Sequence, residues 1–363
     1  MSLEFVAYTE AAVPAVREFN QRLLGGGAPA DQQFPETPDP GWMPGMELFL
    51  AAEGSMVRGG YILRRQSFSV GGATVGAVHY RLPLSEGIVN RAYAMLGLRM
   101  VRDALRREPR LYALGMGAWD KPLPQMLKRL GWGMSAVPFY FKVVHPGRFL
   151  RQIRALRTSA VRRTALDLAA YSGAGWLGMK ALGMARRLPV RAVDLAGGFA
   201  PWADEAWEGS RAAYGLMGQR DAATMEQLYP ASDARFLRVR AAGGWAVLLD
   251  TQMHGHRQFG DMRVGTIVDC LAPPERAGAV MRAGTNVLEQ RGVDLIVSNQ
   301  MHWAWGRALG ESGFRAGPSN FLLALSPALA EAAGVDRLKP VPPVQAHQQF
   351  HFNRGDGDGP IHL

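Results

Sequence analysis

Two short stretches decide the fold: Leu127-Lys128-Arg129-Leu130-Gly131-Trp132 and Leu309-Gly310-Glu311-Ser312-Gly313-Phe314. Each reads as the last turn of a helix, stopped by a glycine that can turn left-handed, with an aromatic residue directly behind it. The two glycines stand 182 positions apart in a chain of 363 residues, half a chain from each other. From each glycine to the aromatic of the next apolar run, Phe139 or Phe321, is eight residues. Matched spacing of this kind predicts two copies of one structural unit.

Working outward, the same order of elements precedes each stop. In the first half, Gly59–Val70 and Ala73–Leu82 are apolar runs joined by Gly71–Gly72, a hairpin pattern with its turn. A helix-period stretch runs from Ile88 to Glu108, then a short run Arg110–Gly117, a helix Lys121–Leu130, and a closing strand Val137–Val144. In the second half, Ala234–Ala241 and Trp245–Thr251 flank Gly243–Gly244. Then come a strand Arg263–Leu271, a helix Pro274–Gln290, a strand Val293–Ser298, a helix Trp303–Ser312 and a strand Asn320–Ser326. Val13–Leu24 leads the first copy. Trp202–Tyr214, continued by Ala222–Leu228, leads the second. The expected class is α/β (α+β): mixed, mostly antiparallel sheets flanked by helices. The expected domains are residues 1–145 and 196–335, joined by a helical connector at 146–195 and followed by a flexible tail at 336–363. That tail carries four prolines from Lys339 on and the run Gly355-Asp356-Gly357-Asp358-Gly359.

Strand hairpin, strand, helix, strand, helix ending in glycine-aromatic, strand: this order resembles the acyl-CoA N-acyltransferase (GNAT) fold, written in tandem and distantly like the Fem-type transferases. The resemblance spans Gly59–Val144 and Ala234–Ser326. It implies acyl-CoA as co-substrate, lying where the strand before the long helix parts from the next strand, with its pyrophosphate at the start of that helix. It implies transfer of the acyl group to an amine, with a carboxylate or histidine taking the amine proton. The family's pyrophosphate turn reads Gln/Arg-x-x-Gly-x-Gly/Ala. The first copy offers Ser85 to Ala92, with one glycine and Arg91, while the second offers Pro273 to Gly278, with Glu275 opposing a phosphate.

On this basis the cofactor candidates are Leu82 and Leu84 through their backbone, and Ser85, Gly87, Asn90 and Arg91 at the junction. Capping of an ordinary loop is the competing reading for Ser85 and Asn90. His79, on the strand leading into the junction, and Glu47, at the start of an earlier strand, are the candidates for the base. A buried structural histidine is the alternative for His79. His254-x-His256 lacks a third ligand at fixed spacing, so no metal is expected. His302-Trp303-Ala304-Trp305 either borders the acceptor site or packs beneath a helix start. Cys270 is the chain's single cysteine and reads as a buried thiol.

The chain holds 41 Lys plus Arg against 31 Asp plus Glu, a net charge of +10. Between His145 and Arg191 lie ten basic residues and one acid, Asp167, so that segment carries +9 and the rest of the chain +1. Phe149, Ile153, Leu156 and Ala160 recur at helical spacing, with arginines around them. That pattern is a basic amphipathic helix. Its readings are a solvated connector, contact with an anionic membrane surface through Arg148, Arg151, Arg154 and Arg157 with Tyr171 and Trp176 at interfacial depth, and RNA contact as the weaker third. The first ten residues lack a basic, apolar leader, and Thr164–Leu188, the most apolar stretch, is broken by charges. The expectation is a cytoplasmic protein, with peripheral membrane contact open. The expected acceptor is an amine-bearing small molecule or glycan precursor. A Fem-type transferase using aminoacyl-tRNA and a non-catalytic binding module are the alternatives.

Overall fold

The computed structural model describes residues 3–39, 45–154, 164, 166, 168, 170, 193–335 and 349–357. They fall into two compact units. The first comprises Met1–Phe68, Thr74–Ser135 and Leu322–Pro342, and the second Ser69–Ala73, Ala136–Phe321 and Pro343–Leu363.

The first unit is built on the strands β1 (Leu3–Ala7), β2 (Met46–Glu53), β3 (Met56–Val70), β4 (Ala73–Ser85), β5 (Leu111–Leu114), β6 (Gly133–Ala136) and β15 (Leu322–Leu325). Their order across the sheet is β1-β2-β3-β4-β5-β15-β6. Neighbours β4 and β5 run parallel. The crossover that parallel strands require is made by α2 (Leu96–Arg107). Helix α1 (Val13–Gly25) covers one face through Val16, Phe19 and Leu23, packed on Leu48, Leu50, Ile62 and Leu84. Helices α2 and α3 (Pro122–Arg129) cover the other, on Phe49, Tyr61, Val78, Tyr80 and Ala113. Helix α2 turns Leu96, Met100, Val101 and Ala104 inward at helical spacing. It also buries Asp103, whose carboxylate accepts from the Tyr61 hydroxyl and from Arg107 Nε at 2.8 Å. As expected, α3 ends on Gly131 at φ +76°, with the Trp132 N–H returning to the Leu127 carbonyl.

The second unit carries β7 (Phe139–Val143), β8 (Asp194–Ala196), β10 (Leu237–Ala241), β11 (Gly244–Gln252), β12 (Arg263–Leu271), β13 (Leu295–Asn299) and β14 (Arg315–Gly317). Their order is β14-β7-β13-β12-β11-β10-β8. Strands β12 and β13 are the parallel pair, crossed over by α7 (Ala277–Gln290). Helices α7 and α8 (Trp303–Glu311) lie on one face with Val280, Leu288, Trp305 and Leu309. Helix α4 (Pro146–Gln152) lies on the other, with Phe149 and Leu150 against Val264, Leu295 and Val297. The glycine stop recurs at Gly313, φ +89°, with Phe314 N–H on the Leu309 carbonyl. Helices α5 (Pro201–Glu208) and α6 (Ala222–Leu228) and a two-residue parallel pair, β9 (Leu216–Gly218) with β16 (Phe350–His351), complete the unit.

Five expectations change. The strand expected at Val137–Val144 forms as β7, but it pairs with β13 and β14 of the second unit. Reciprocally, the strand expected at Asn320–Ser326 forms as β15 and pairs with β5 of the first unit. The long helix begins at Leu96, not Ile88, because Ser85 and Asn90 each cap a separate single 3-10 turn before it. The basic helix stops at Gln152, where Ile153 goes extended at ψ 96° to bury its side chain, and residues 155–163 lie outside the described residues. Finally, Phe350–Asp356 is no loose tail: Phe350, His351, Phe352, Asn353 and Asp356 are all buried.

Candidate active site

The cleft of the first unit starts from an interrupted ladder. Strands β4 and β5 pair only at Val78↔Leu111 and His79↔Tyr112, yet β4 runs on from Tyr80 to Ser85. The divergence coincides with a break in the backbone of β4. Leu82 sits at φ +42°, one of two non-glycine residues with positive φ among those described. Up to that point Val78 and Tyr80 face α2, as alternation requires. Beyond it Leu82 and Leu84 face α1. A left-handed residue in mid-strand that switches the faces is a β-bulge, and it steers the strand end away from β5.

His79 occupies the last paired position. Alternation turns it to the α1 face, opposite Tyr80. Its ring stacks on Tyr112 at 4.5 Å, it is 1 % exposed, and its Nδ1 has no hydrogen-bond partner among the described residues. Burial first, then Arg81 and Arg64, holds its proton affinity well below the usual imidazole range. The ring is therefore neutral at physiological pH. Glu47 is not brought to it. Glu47 pairs with Leu63, on the α2 face, and its carboxylate lies 3.1 Å from Arg65, which also reaches Glu108 at the C-terminal end of α2. That end lies about 18 Å along the helix from its start.

The junction candidates lie together in the β4–α2 connection, but most of their polar groups are spent on building it. Ser85 Oγ accepts the Gly87 N–H at 3.0 Å, and Asn90 Oδ1 accepts the Ala92 N–H at 3.1 Å. A Cβ on Gly87 would stand 2.5 Å from the Tyr93 carbonyl oxygen, so only glycine fits there. The Leu84 carbonyl faces β3, 2.8 Å from where a Gly59 Cβ would be. Arg91 is exposed on the second 3-10 turn. Beside them, Glu86 is buried between Arg58 at 3.1 Å and Arg22 at 3.4 Å. Glu53 accepts from the Tyr93 hydroxyl and from Arg58 Nε, and these two bonds, Tyr93's first, hold its carboxyl below the ordinary range.

The start of the long helix, expected to face the pyrophosphate, lies eight residues beyond Ile88, so the first turn of α2 was not among the residues named from the sequence. Met95, the residue before α2, provides no side-chain cap. The amides of Leu96, Gly97 and Leu98 in the first turn are thus of the kind that an anion can satisfy. A Cβ on Gly97 would meet nothing closer than the Met126 side chain at 3.8 Å. Ile88 and Met95, 51 % and 61 % exposed, put apolar surface on the same connection. The available signal was a glycine at the second helical position behind a residue that cannot cap.

The corresponding cleft of the second unit is filled by its own chain. The β12–β13 ladder runs from Val264↔Leu295 to Ile267↔Ser298, and β12 continues to Leu271 after a register shift opposite Val247 and Leu248. Past the end of the ladder, the Phe352 carbonyl accepts the Met301 N–H, and Asn353 bridges Gln300. On the β12 side, His351 Nε2 donates to the Cys270 carbonyl at 2.8 Å, and Asn353 Nδ2 donates to Asp269 Oδ1 at 2.8 Å. Arg220, 1 % exposed, locks this segment. Its Nε meets Asp269 at 2.9 Å and its Nη2 meets Asp356 at 2.7 Å. Asp356 is therefore part of an ion-pair lock. A Cβ on Gly355 would strike Tyr229 Oη at 2.3 Å and Asp269 at 2.4 Å.

The remaining candidates of this unit are structural. The Cys270 thiol is buried, its pKa pushed up by desolvation, and it donates to Gln300 at 3.4 Å. His302 caps α8 through Ala304, and Trp305 Nε1 donates to Tyr214. His256 Nδ1 accepts from Gln258 and Phe259 in its own loop. Among the described residues no group of three or more His, Cys, Asp or Glu side chains could hold a metal, and no helix is long and apolar enough to cross a membrane.

No protein-family model and no curated protein matches the sequence significantly. Solved structures do match. Saccharomyces cerevisiae N-myristoyltransferase with bound myristoyl-CoA superposes with a TM-score of 0.51 at 10% identity, over 90% of this chain and 79% of that one. A conserved protein of unknown function from Enterococcus faecalis V583, described as a probable N-acyltransferase, gives 0.50 at 9% identity, over 90% and 73%. At such identities the likeness carries the fold and nothing finer. The chain has the acyl-CoA N-acyltransferase, or GNAT, fold.

Proposed function

We propose that the chain moves an acyl group from acyl-CoA to an amine, in the cleft of the first unit, and that the two units are two copies of one domain. The observation that carries this reading is the contrast between clefts: β4 parts from β5 at the Leu82 bulge, whereas residues 350–357 fill the gap beside β12. A thioester's pantetheine arm, itself an amide chain, suits the backbone of β4 past Tyr80. The first turn of α2 suits its pyrophosphate, with Arg91 at hand. The amine nitrogen attacks the thioester carbonyl, and His79 Nδ1, neutral and without a hydrogen-bond partner among the described residues, holds the proton of the adduct's ammonium only transiently, since burial keeps its proton affinity low. Collapse of the tetrahedral adduct breaks the C–S bond, and CoA leaves as the thiolate, which takes the proton back from His79 and restores the neutral ring. Acyl-CoA bound to the yeast relative supports the co-substrate. The cationic face described below supports an acceptor attached to an envelope sugar or lipid.

Calorimetric titration with acyl-CoAs of several chain lengths tests it, and one equivalent per chain is expected. Gly97→Asp puts a carboxylate in the first turn of α2, which favours the helix but opposes a phosphate. It should weaken binding at least tenfold while leaving the melting temperature unchanged or higher. His79→Gln should keep binding and lower turnover by about 10²-fold or more. A stoichiometry of two would place a second site in the other unit. Absence of binding by any CoA species at high micromolar concentration would leave the non-catalytic reading, which the Glu86 carboxylate at the junction favours.

A further inference from the structure

One face of the second unit is cationic in a layered way. Helix α4 turns Phe149 and Leu150 into the core and leaves Arg148, 64 % exposed, outward, with Arg151 beside it. Arg154 follows, its guanidinium on the Gly255 carbonyl at 3.2 Å. Arg257 is exposed on the adjoining loop. Arg263 and Arg291 share Asp250 at 2.6 Å each. A cavity of about 380 Å³ opens among Arg148, Arg151, Gln252, Arg263 and Asp294.

Two of the three acids of this face lie beneath the arginines. Asp250 and Asp294 are only 5% and 6% exposed. Asp294 accepts the Arg263 N–H at 3.1 Å and meets His145 Nδ1 at 3.2 Å. Asp261 is exposed but accepts the Gly255 N–H at 2.7 Å. Six arginines thus stand over three aspartates, two of which point inward. Next to α4, residues 164, 166, 168 and 170 are helical. Leu166 and Ala170 join the same core, while Leu168 is 70 % exposed.

We infer that this face is a docking surface for an anionic lipid bilayer. A shallow arginine layer matches a plane of phosphate head groups, and an outward leucine beside it matches the acyl boundary. The surface acts by many weak contacts at once, so the attachment is reversible and salt-sensitive. This inference stands on the second unit alone and does not depend on the transferase reading.

Co-sedimentation of the full chain with vesicles of phosphatidylcholine containing phosphatidylglycerol, against phosphatidylcholine alone, tests it at low and high salt. Binding to the anionic vesicles only, lost at high salt, is expected. The combined Arg148→Glu, Arg151→Glu and Arg154→Glu variant should lower the partition coefficient at least tenfold. A charge-matched control, Arg102→Glu, Lys128→Glu and Arg129→Glu on the first unit, should lower it less than threefold. Circular dichroism checks that both variants fold. Equal loss in the two variants, equal binding to neutral vesicles, release by millimolar inorganic phosphate at constant ionic strength, or no sedimentation would each overturn the inference.

Discussion

His79 and His351 are both buried rings whose Nδ1 finds no partner among the described residues, one at the end of a ladder and one in a filled cleft. Burial above all, with arginines second, holds each proton affinity well below the usual imidazole value of 6.5. The sign of the pH effect follows. As pH falls below about 6.5, the unfolded chain takes up a proton at each ring that the folded chain refuses, so stability falls. The slope is at most about 1.4 kcal/mol per pH unit for each histidine. Chemical denaturation at pH 7.5 and 5.5 should therefore show a smaller loss for His351→Gln than for the parent chain, and an equal loss would refute this account. Sequence alone could place His79 on its strand by alternation. It could not decide burial, because that depends on Tyr112, which arrives from another strand.

At the scale of elements, the segment Phe350–Asp356 behaves as an added strand end and turn pinned by one guanidinium. Arg220 balances two carboxylates, Asp269 and Asp356, in a site closed to water. Replacing it by methionine would leave both acids buried without their cation, at a cost of about 3–5 kcal/mol to the second unit. Asp356→Asn keeps Arg220 paired with Asp269 and should cost clearly less. Denaturant midpoints of the two variants, read by the tryptophans of that unit, give the comparison; the reverse order would discard the lock. None of this was legible in Gly355-Asp356-Gly357-Asp358-Gly359, whose composition reads as solvent-exposed. The partners lie 87 and 136 residues away, from Asp269 and Arg220 to Asp356. By contrast, the helix stops and hairpins were legible, since Gly131, Gly313 and the Gly71–Gly72 turn act through local backbone geometry. The start of α2 was not, because two capped 3-10 turns preserve the apolar spacing of a helix without its hydrogen bonds.

At the scale of the whole molecule, each sheet borrows a strand from the other half of the sequence. Strand β15 sits between β5 and β6, and β7 sits between β13 and β14. Periodicity found both strands but could not assign them, since an apolar run carries no address for its partner. Residues 1–145 and 193–363 expressed apart should each be insoluble or molten, and should recover a cooperative transition when produced together. Cooperative melting of either piece alone would contradict the exchange. The exchange also sets a clock. On the ribosome β5 and β6 emerge early, but the strand that must lie between them is made almost 190 residues after β6. At about 5–20 residues per second that is a wait of roughly 10–40 s. Through that interval Leu111–Leu114, fully buried in the finished unit, keeps an open edge, the surface on which nascent chains stick to one another. Codon choice or chaperone supply across that window should therefore govern yield more strongly than any substitution in the cleft.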